Sequence, residues 1–208
     1  MDASLILLAI LPMIFAFTVS EAARGFAAYY CGDATPKQYG RLTFNPTSHI
    51  DPIGTIVVPL VSFAISSLSG MMFIFGWAKP MPVDPRNFRN WRQGQRLVSL
   101  AGPLSNFMMC FVWGLAIVVS QWVPVSFQDP LSKMGMIGIS FNAWIMVLSL
   151  LPILPMDGGR IVDSFLPPKA SMQFHKIAPY GTWIILFLLI FGILLPIMRP
   201  IVLVFLHW

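Results

Sequence analysis

Phe17-Thr18-Val19-Ser20-Glu21-Ala22-Ala23-Arg24-Gly25 sits at the end of a long apolar run. No charge occurs between Ala3 and Val19. About 20 such residues span a bilayer as a helix, so Glu21 and Arg24 fall inside a membrane-spanning segment. A carboxylate and a guanidinium at that depth are costly unless they are paired or lie in a polar cavity, and by default they mark a functional site. Three residues apart, they share one helix face. The alternative is a pair snorkelling toward the interface with no role beyond solubility.

The whole chain fits a membrane setting. Of 208 residues, 57% are hydrophobic and 10% are charged. Soluble domains carry about 25% charged residues, so this is an all-α polytopic membrane protein. The formal net charge of +5 suits basic loops beside a membrane. No Lys/Arg/aromatic surface of the nucleic-acid type is visible, and nucleic acid is excluded as a partner. The start Met1-Asp2-Ala3-Ser4, with no basic residue before Arg24, argues for a retained first helix and against a cleaved signal. Cys31 and Cys110 read as small apolar fillers. No repeat of the transporter kind is apparent.

Four spans are expected, at Ser4–Cys31, Leu97–Val123, Met134–Pro155 and Tyr180–Met198. The tail Ile201–Trp208 is too short to cross and reads as an interfacial or packed end. Lys37 and Arg41 share one loop, Lys79, Arg86, Arg89, Arg92 and Arg96 the next, and Arg160, Lys169 and Lys176 another. By the positive-inside rule these loops face the cytoplasm and the N-terminus faces out. That parity requires the apolar segment Ile53–Phe75, broken by Pro59 and a Ser/Gly run, to be a re-entrant hairpin. A plain fifth span is the alternative. Arg41–Phe44 alternates in polarity and ends at Asn45-Pro46, which predicts a short strand at the membrane surface. Arg86 to Arg96 reads as a solvated loop facing lipid headgroups.

With the hairpin in place, the third full span ends in the same leaflet as Glu21 and brings Asp157 there. At this point seven blocks resemble one family, in family order. They are Glu21–Gly25, Gly32–Thr35, Gly40–Pro46, His49–Thr55, Phe75–Pro80, Ala101–Asn106 and Pro155–Arg160. The chain resembles the site-2 proteases, intramembrane zinc metalloproteases, and in particular their short bacterial branch without a PDZ domain. The resemblance covers nearly all of residues 1–208, as a single membrane-embedded domain.

The resemblance implies a helical core in which a HExxH helix meets a helix ending in Asp-Gly. Two His and the Asp would hold zinc, and the Glu would act on the metal-bound water, whose pKa falls to about 7. Carried over by position, Glu21 is the general base and Asp157 the third ligand. Ser20 and Arg24 stand where the two His belong. Ser149 replaces an Asn that steadies the tetrahedral intermediate, and Asn142 fits a more upstream Asn. Serine is a poor zinc ligand, and arginine is a permanent cation that cannot coordinate. The expectation is therefore a chain without a metal cofactor, in which Arg24 fills the metal's place and bonds both Asp157 and Glu21. Arg160 or a protonated acid would balance the remaining charge. His49 reads as a structural loop histidine, and His175 and His207 as peripheral.

Three functions stay open at this level. One is an inactive relative that binds membrane proteins or transmembrane segments within the bilayer. Another is a working zinc-dependent intramembrane endopeptidase with a non-standard site. The third is a structural subunit of a membrane complex. In each, the expected location is the bacterial inner membrane, with the site in the cytoplasmic half.

Overall fold

The computed structural model describes residues 3–58, 60–62 and 76–206. Six helices frame it: α1 (Ala3–Tyr30), α2 (Trp91–Ser120), α3 (Val125–Ser149), α4 (Asp157–Phe165), α5 (Pro168–Ile190) and α6 (Leu194–Leu206). Single turns of helix punctuate the segment between α1 and α2. Helices α1, α2 and α3 are each long and apolar enough to cross a membrane. They pack pairwise on one another, α4 lies on α2, and α6 lies on α3.

Small residues permit the close approach. A Cβ on Gly138 of α3 would come within 2.3 Å of the Trp113 ring on α2. Backbones draw together at such positions in lipid, where apolar side chains gain little by leaving the hydrocarbon. Farther along, Ala143, Met146 and Val147 of α3 join Cys110 of α2 and Leu194, Met198 and Val202 of α6 in one buried cluster. Both cysteines are free and buried, as fillers would be. The packed end expected for the tail is thus present at Val202 and Phe205. His207 lies outside the described residues.

Three expectations about boundaries need correction. The loop placed between Val123 and Met134 is helical from Val125, with Lys133 Nζ donating to Asp129 at 2.7 Å one turn away. Helix α3 ends at Ser149, so Asp157-Gly158-Gly159 does not stop a helix but opens α4. The fourth span is not one straight helix, because α5 and α6 meet at a bend of 81°.

The predicted strand at Arg41–Phe44 does not form; among the described residues no strand is assigned. A strand needs a ladder partner, and here the carbonyl of Thr43 is taken by the His49 ring at 2.8 Å. The hairpin expectation has a direct counterpart at its base. Trp77 N–H donates to Gly54 O at 3.0 Å, and Thr55 Oγ1 donates to Trp77 O at 2.8 Å. Pro59 and residues 63–75, over which the rest of the expected hairpin runs, lie outside the described residues.

The end of α1 is tied to the start of α2 by one buried acid. Asp33 accepts hydrogen bonds from Thr35 N (3.0 Å), Thr35 Oγ1 (2.5 Å), Asp84 N (2.8 Å) and Asn87 Nδ2 (2.8 Å). Burial pushes its carboxyl up, but these donors outweigh burial and hold it below the usual range. Tyr30, Trp91 and Ser149 therefore share one end of the bundle, and Ser120 and Val125 the other.

Candidate functional site

Helix α1 carries Glu21 and Arg24 toward α4, and α4 begins with Asp157. Arg24 bridges them: Nη1 donates to Glu21 Oε1, and Nη2 donates to Asp157 Oδ2. The three side chains are largely withdrawn from solvent, at 17%, 10% and 7% exposure. Arg24 lies six residues before the end of α1, about 9 Å along the axis at 1.5 Å per residue. Interior ion pairs of this kind hold only when good geometry and further hydrogen bonds offset desolvation.

The glycines give the bridge its room. A Cβ on Gly102 of α2 would lie 2.6 Å from Arg24 Nε and Nη2, so the guanidinium runs across the face that Gly102 leaves bare. Gly102 thus serves as a seat for Arg24 and not only as a helix contact. At the other partner, a Cβ on Gly158 would meet Leu150 O at 2.0 Å, and one on Gly159 would meet Ile153 C at 2.5 Å. These glycines let the first turn of α4 rest on the backbone of the preceding turn, which fixes where Asp157 projects.

The second oxygen of Glu21 has a partner that the sequence reading missed. Met81 N–H donates to Glu21 Oε2 at 2.6 Å. Proline lacks a backbone N–H, so in Pro80-Met81-Pro82 Met81 holds the sole amide donor, and it is spent on Glu21. That run of prolines was the available signal. The segment is positioned from outside: Lys79 N–H donates to His49 O at 3.0 Å, and Arg41 Nη2 donates to Lys79 O at 2.9 Å. His49 is buried, and its ring is held between Thr43 O at 2.8 Å and Arg41 Nη2 at 3.4 Å. It is a brace, as expected, and burial pushes its pKa below the ordinary value.

A cavity of about 220 Å³ opens beside the bridge, lined by Glu21, Arg24, Met81, Ser149, Asp157 and Arg160 among others. Ser149 reaches it but donates its hydroxyl to Ile145 O at 2.7 Å in its own helix. Arg160 lines the same cavity and acts on Asp157 through its charge rather than through a direct hydrogen bond among the described residues. Met81 adds a neutral donor to Glu21, while the positive charge of Arg160 acts on Asp157, as charge balance at the site requires. Ser20 is 3% exposed, and its Oγ has no partner among the described residues. Asn142 stands elsewhere in the core, donating to Gly138 O at 2.8 Å. His175 binds Asp163 Oδ2 at 2.9 Å, away from the cavity lining.

Zinc, which the resemblance implies, does not fit these residues. The position that the resemblance would give to the second ligand holds a cation, and its guanidinium already occupies both Glu21 and Asp157. Among the described residues no three His, Cys, Asp or Glu side chains are grouped as ligands would be.

No protein-family model matches the chain, and no solved structure matches it. Relatives do. "Putative zinc metalloprotease YwhC" of Bacillus subtilis is 34% identical over 186 residues, covering 88% of this chain and 78% of the relative. "Putative zinc metalloprotease Rip2" of Mycolicibacterium smegmatis is 25% identical over 188 residues, covering 88% and 67%. "Zinc metalloprotease MJ0392" of Methanocaldococcus jannaschii is 31% identical over 110 residues, covering 50% and 30%. An all-helical membrane fold, an acid pair brought together from α1 and α4, and a relative at this identity over most of both chains lead to one placement: the chain belongs to the site-2 protease family of intramembrane zinc metalloproteases.

Proposed function

We propose that this chain is a catalytically inactive site-2 protease-like protein that binds segments of other membrane proteins. The observation that carries this reading is the Arg24 guanidinium held between Glu21 and Asp157. In this reading Glu21 is a general-base position kept without its metal. Asp157 is a ligand position turned into a salt-bridge acceptor. Ser20 and Ser149 are the other lost catalytic positions. The bridge closes the site with charges that neutralise one another in part, and the Met81 amide supports Glu21 further.

A place for a bound segment lies next to the bridge. A groove of about 510 Å³ runs between α1, α3, α5 and α6, and its lining includes Phe17, Trp77, Phe141, Trp144, Leu148 and Met156. Met156 also lines the polar cavity, so groove and cavity adjoin. An apolar helix, or its unwound end, suits such a lining. By the positive-inside rule the arginine-rich loops face the cytoplasm, which puts the bridge in the cytoplasmic half of a bacterial inner membrane.

The reading of an active zinc-dependent endopeptidase is favoured by the retained acids Glu21 and Asp157. Reconstitution with helical membrane substrates separates the two. The expected result is retention of a photo-crosslinker at Leu148 on a substrate segment, with no cleavage. Cleavage that disappears in Glu21→Gln would overturn inactivity and establish the peptidase. A fixed partner recovered equally when Leu148 and Trp144 are replaced by polar residues would overturn groove binding in favour of a structural subunit.

A further inference from the structure

A second cavity, of about 210 Å³, lies at the seam where two spans end. Its lining includes Tyr30 and Cys31 from the end of α1, and Arg89, Asn90, Gln93 and Leu97 at the start of α2. No acidic residue lines it. The candidate spans end at Tyr30 and begin at Trp91, so the cavity sits at the level where a bilayer's headgroups lie. Tyr30 and Trp91, 78% and 41% exposed, stand at that level as interfacial aromatics do.

The arginines around it are not equivalent. Arg86 is committed to Asp84, and Arg96 lies over the Phe165 ring, 4.3 Å from its centroid. Arg89 has neither kind of partner among the described residues, and it lines the cavity. Its backbone is fixed, since Arg89 N–H donates to Cys31 O at 2.9 Å. That bond presents the guanidinium at the seam between α1 and α2. Arg92 adds a second exposed cation one turn away.

An apolar path leaves the same cavity. Leu97 lines it, and Leu97, Leu100 and Leu104 share one face of α2 at spacings of three and four residues. All three are exposed, at 38%, 43% and 59%, and run along the span toward its middle. A ligand that satisfies the whole arrangement has an anionic head and an apolar tail.

We infer that this seam binds an anionic phospholipid, with its phosphate on Arg89 and an acyl chain along Leu97, Leu100 and Leu104. Net anionic lipid is favoured over zwitterionic lipid because the unpaired cations meet no acid in the cavity. The site is separate from the Arg24 bridge and does not depend on the function proposed for it.

Native mass spectrometry of the full chain, loaded with phosphatidylglycerol or with phosphatidylcholine of matched chains, tests this. The wild type should retain phosphatidylglycerol preferentially. Arg89→Gln should weaken that retention roughly fivefold, the weight of one interfacial arginine, and leave phosphatidylcholine unchanged. Arg199→Gln, exposed at the far end of the chain, controls for loss of charge. A melting curve for Arg89→Gln that overlays the wild type keeps folding out of the comparison. Equal retention of the two lipids, or undiminished phosphatidylglycerol on Arg89→Gln, would overturn the site. Displacement of the lipid by excess inorganic phosphate would assign the cavity to free phosphate and overturn the lipid.

Discussion

Among the described residues two arginines hold carboxylates, and they differ in everything except the contact. Arg86 grips Asp84 through Nε and Nη2, at 2.9 Å and 2.7 Å to its nearer oxygens, yet its side chain is 89% exposed. Its partner's carboxyl is held down at about 2, first by the hydrogen bonds from Arg86. Arg24 reaches two acids on two helices and is largely enclosed. Water can replace every bond that Arg86 makes. It cannot replace those of Arg24 without entering the bundle. The worth of an ion pair here follows from what would solvate its members once it is broken, not from the number or length of its bonds.

The strongest way to break the comparison is to remove Arg24. Arg24→Ala should cost about 3–5 kcal/mol, the range for an uncompensated buried charge, read as a large fall in the unfolding midpoint in detergent. Adding Glu21→Gln and Asp157→Asn should recover part of that loss, because neutral amides need no counter-ion. An Arg24→Ala protein that melts like the wild type would mean that the bridge is not buried. Next in size is Gly102→Ala. It pushes a methyl into the guanidinium and should cost about 1–3 kcal/mol as overpacking does, with the loss muted once Arg24 is already alanine.

A smaller effect concerns the brace behind Met81. The His49 pKa is lowered in the folded protein by burial, so the unfolded chain takes up a proton first as pH falls. Stability should therefore decline as pH drops below about 6.5, the unfolded value, and hold steady above it. The decline over that window should be shallower in His49→Gln, followed by thermal melting across pH. Arg86→Gln should be the smallest change of all, with a melting curve that overlays the wild type.

Much of the site was legible because charge at membrane depth leaves few interpretations. Glu21 and Arg24 declared themselves by being expensive and sharing a helix face, while Asp157 was drawn in by a shared leaflet and by the family's Asp-Gly block. Other parts depend on backbone geometry that residue types do not reveal. The Met81 amide is one, because a backbone donor carries no side-chain signature. Another is the clearance at Gly102, since the same glycine serves equally for plain helix contact. The strand expected at Arg41–Phe44 failed because alternation in polarity says nothing about whether a second strand lies alongside. The start of α3 was placed too late because Asp129 and Lys133 look like loop residues, although one turn apart they form a pair that a helix accommodates.

The claim at the centre is that a guanidinium stands where the family has a metal. Elemental analysis of the purified native protein after exposure to zinc tests it, run beside the Ser20→His, Arg24→His double variant. The expected result is no stoichiometric zinc on the native chain, and about one zinc per chain on a double variant that returns both histidines. One tightly held zinc per native chain would contradict the claim.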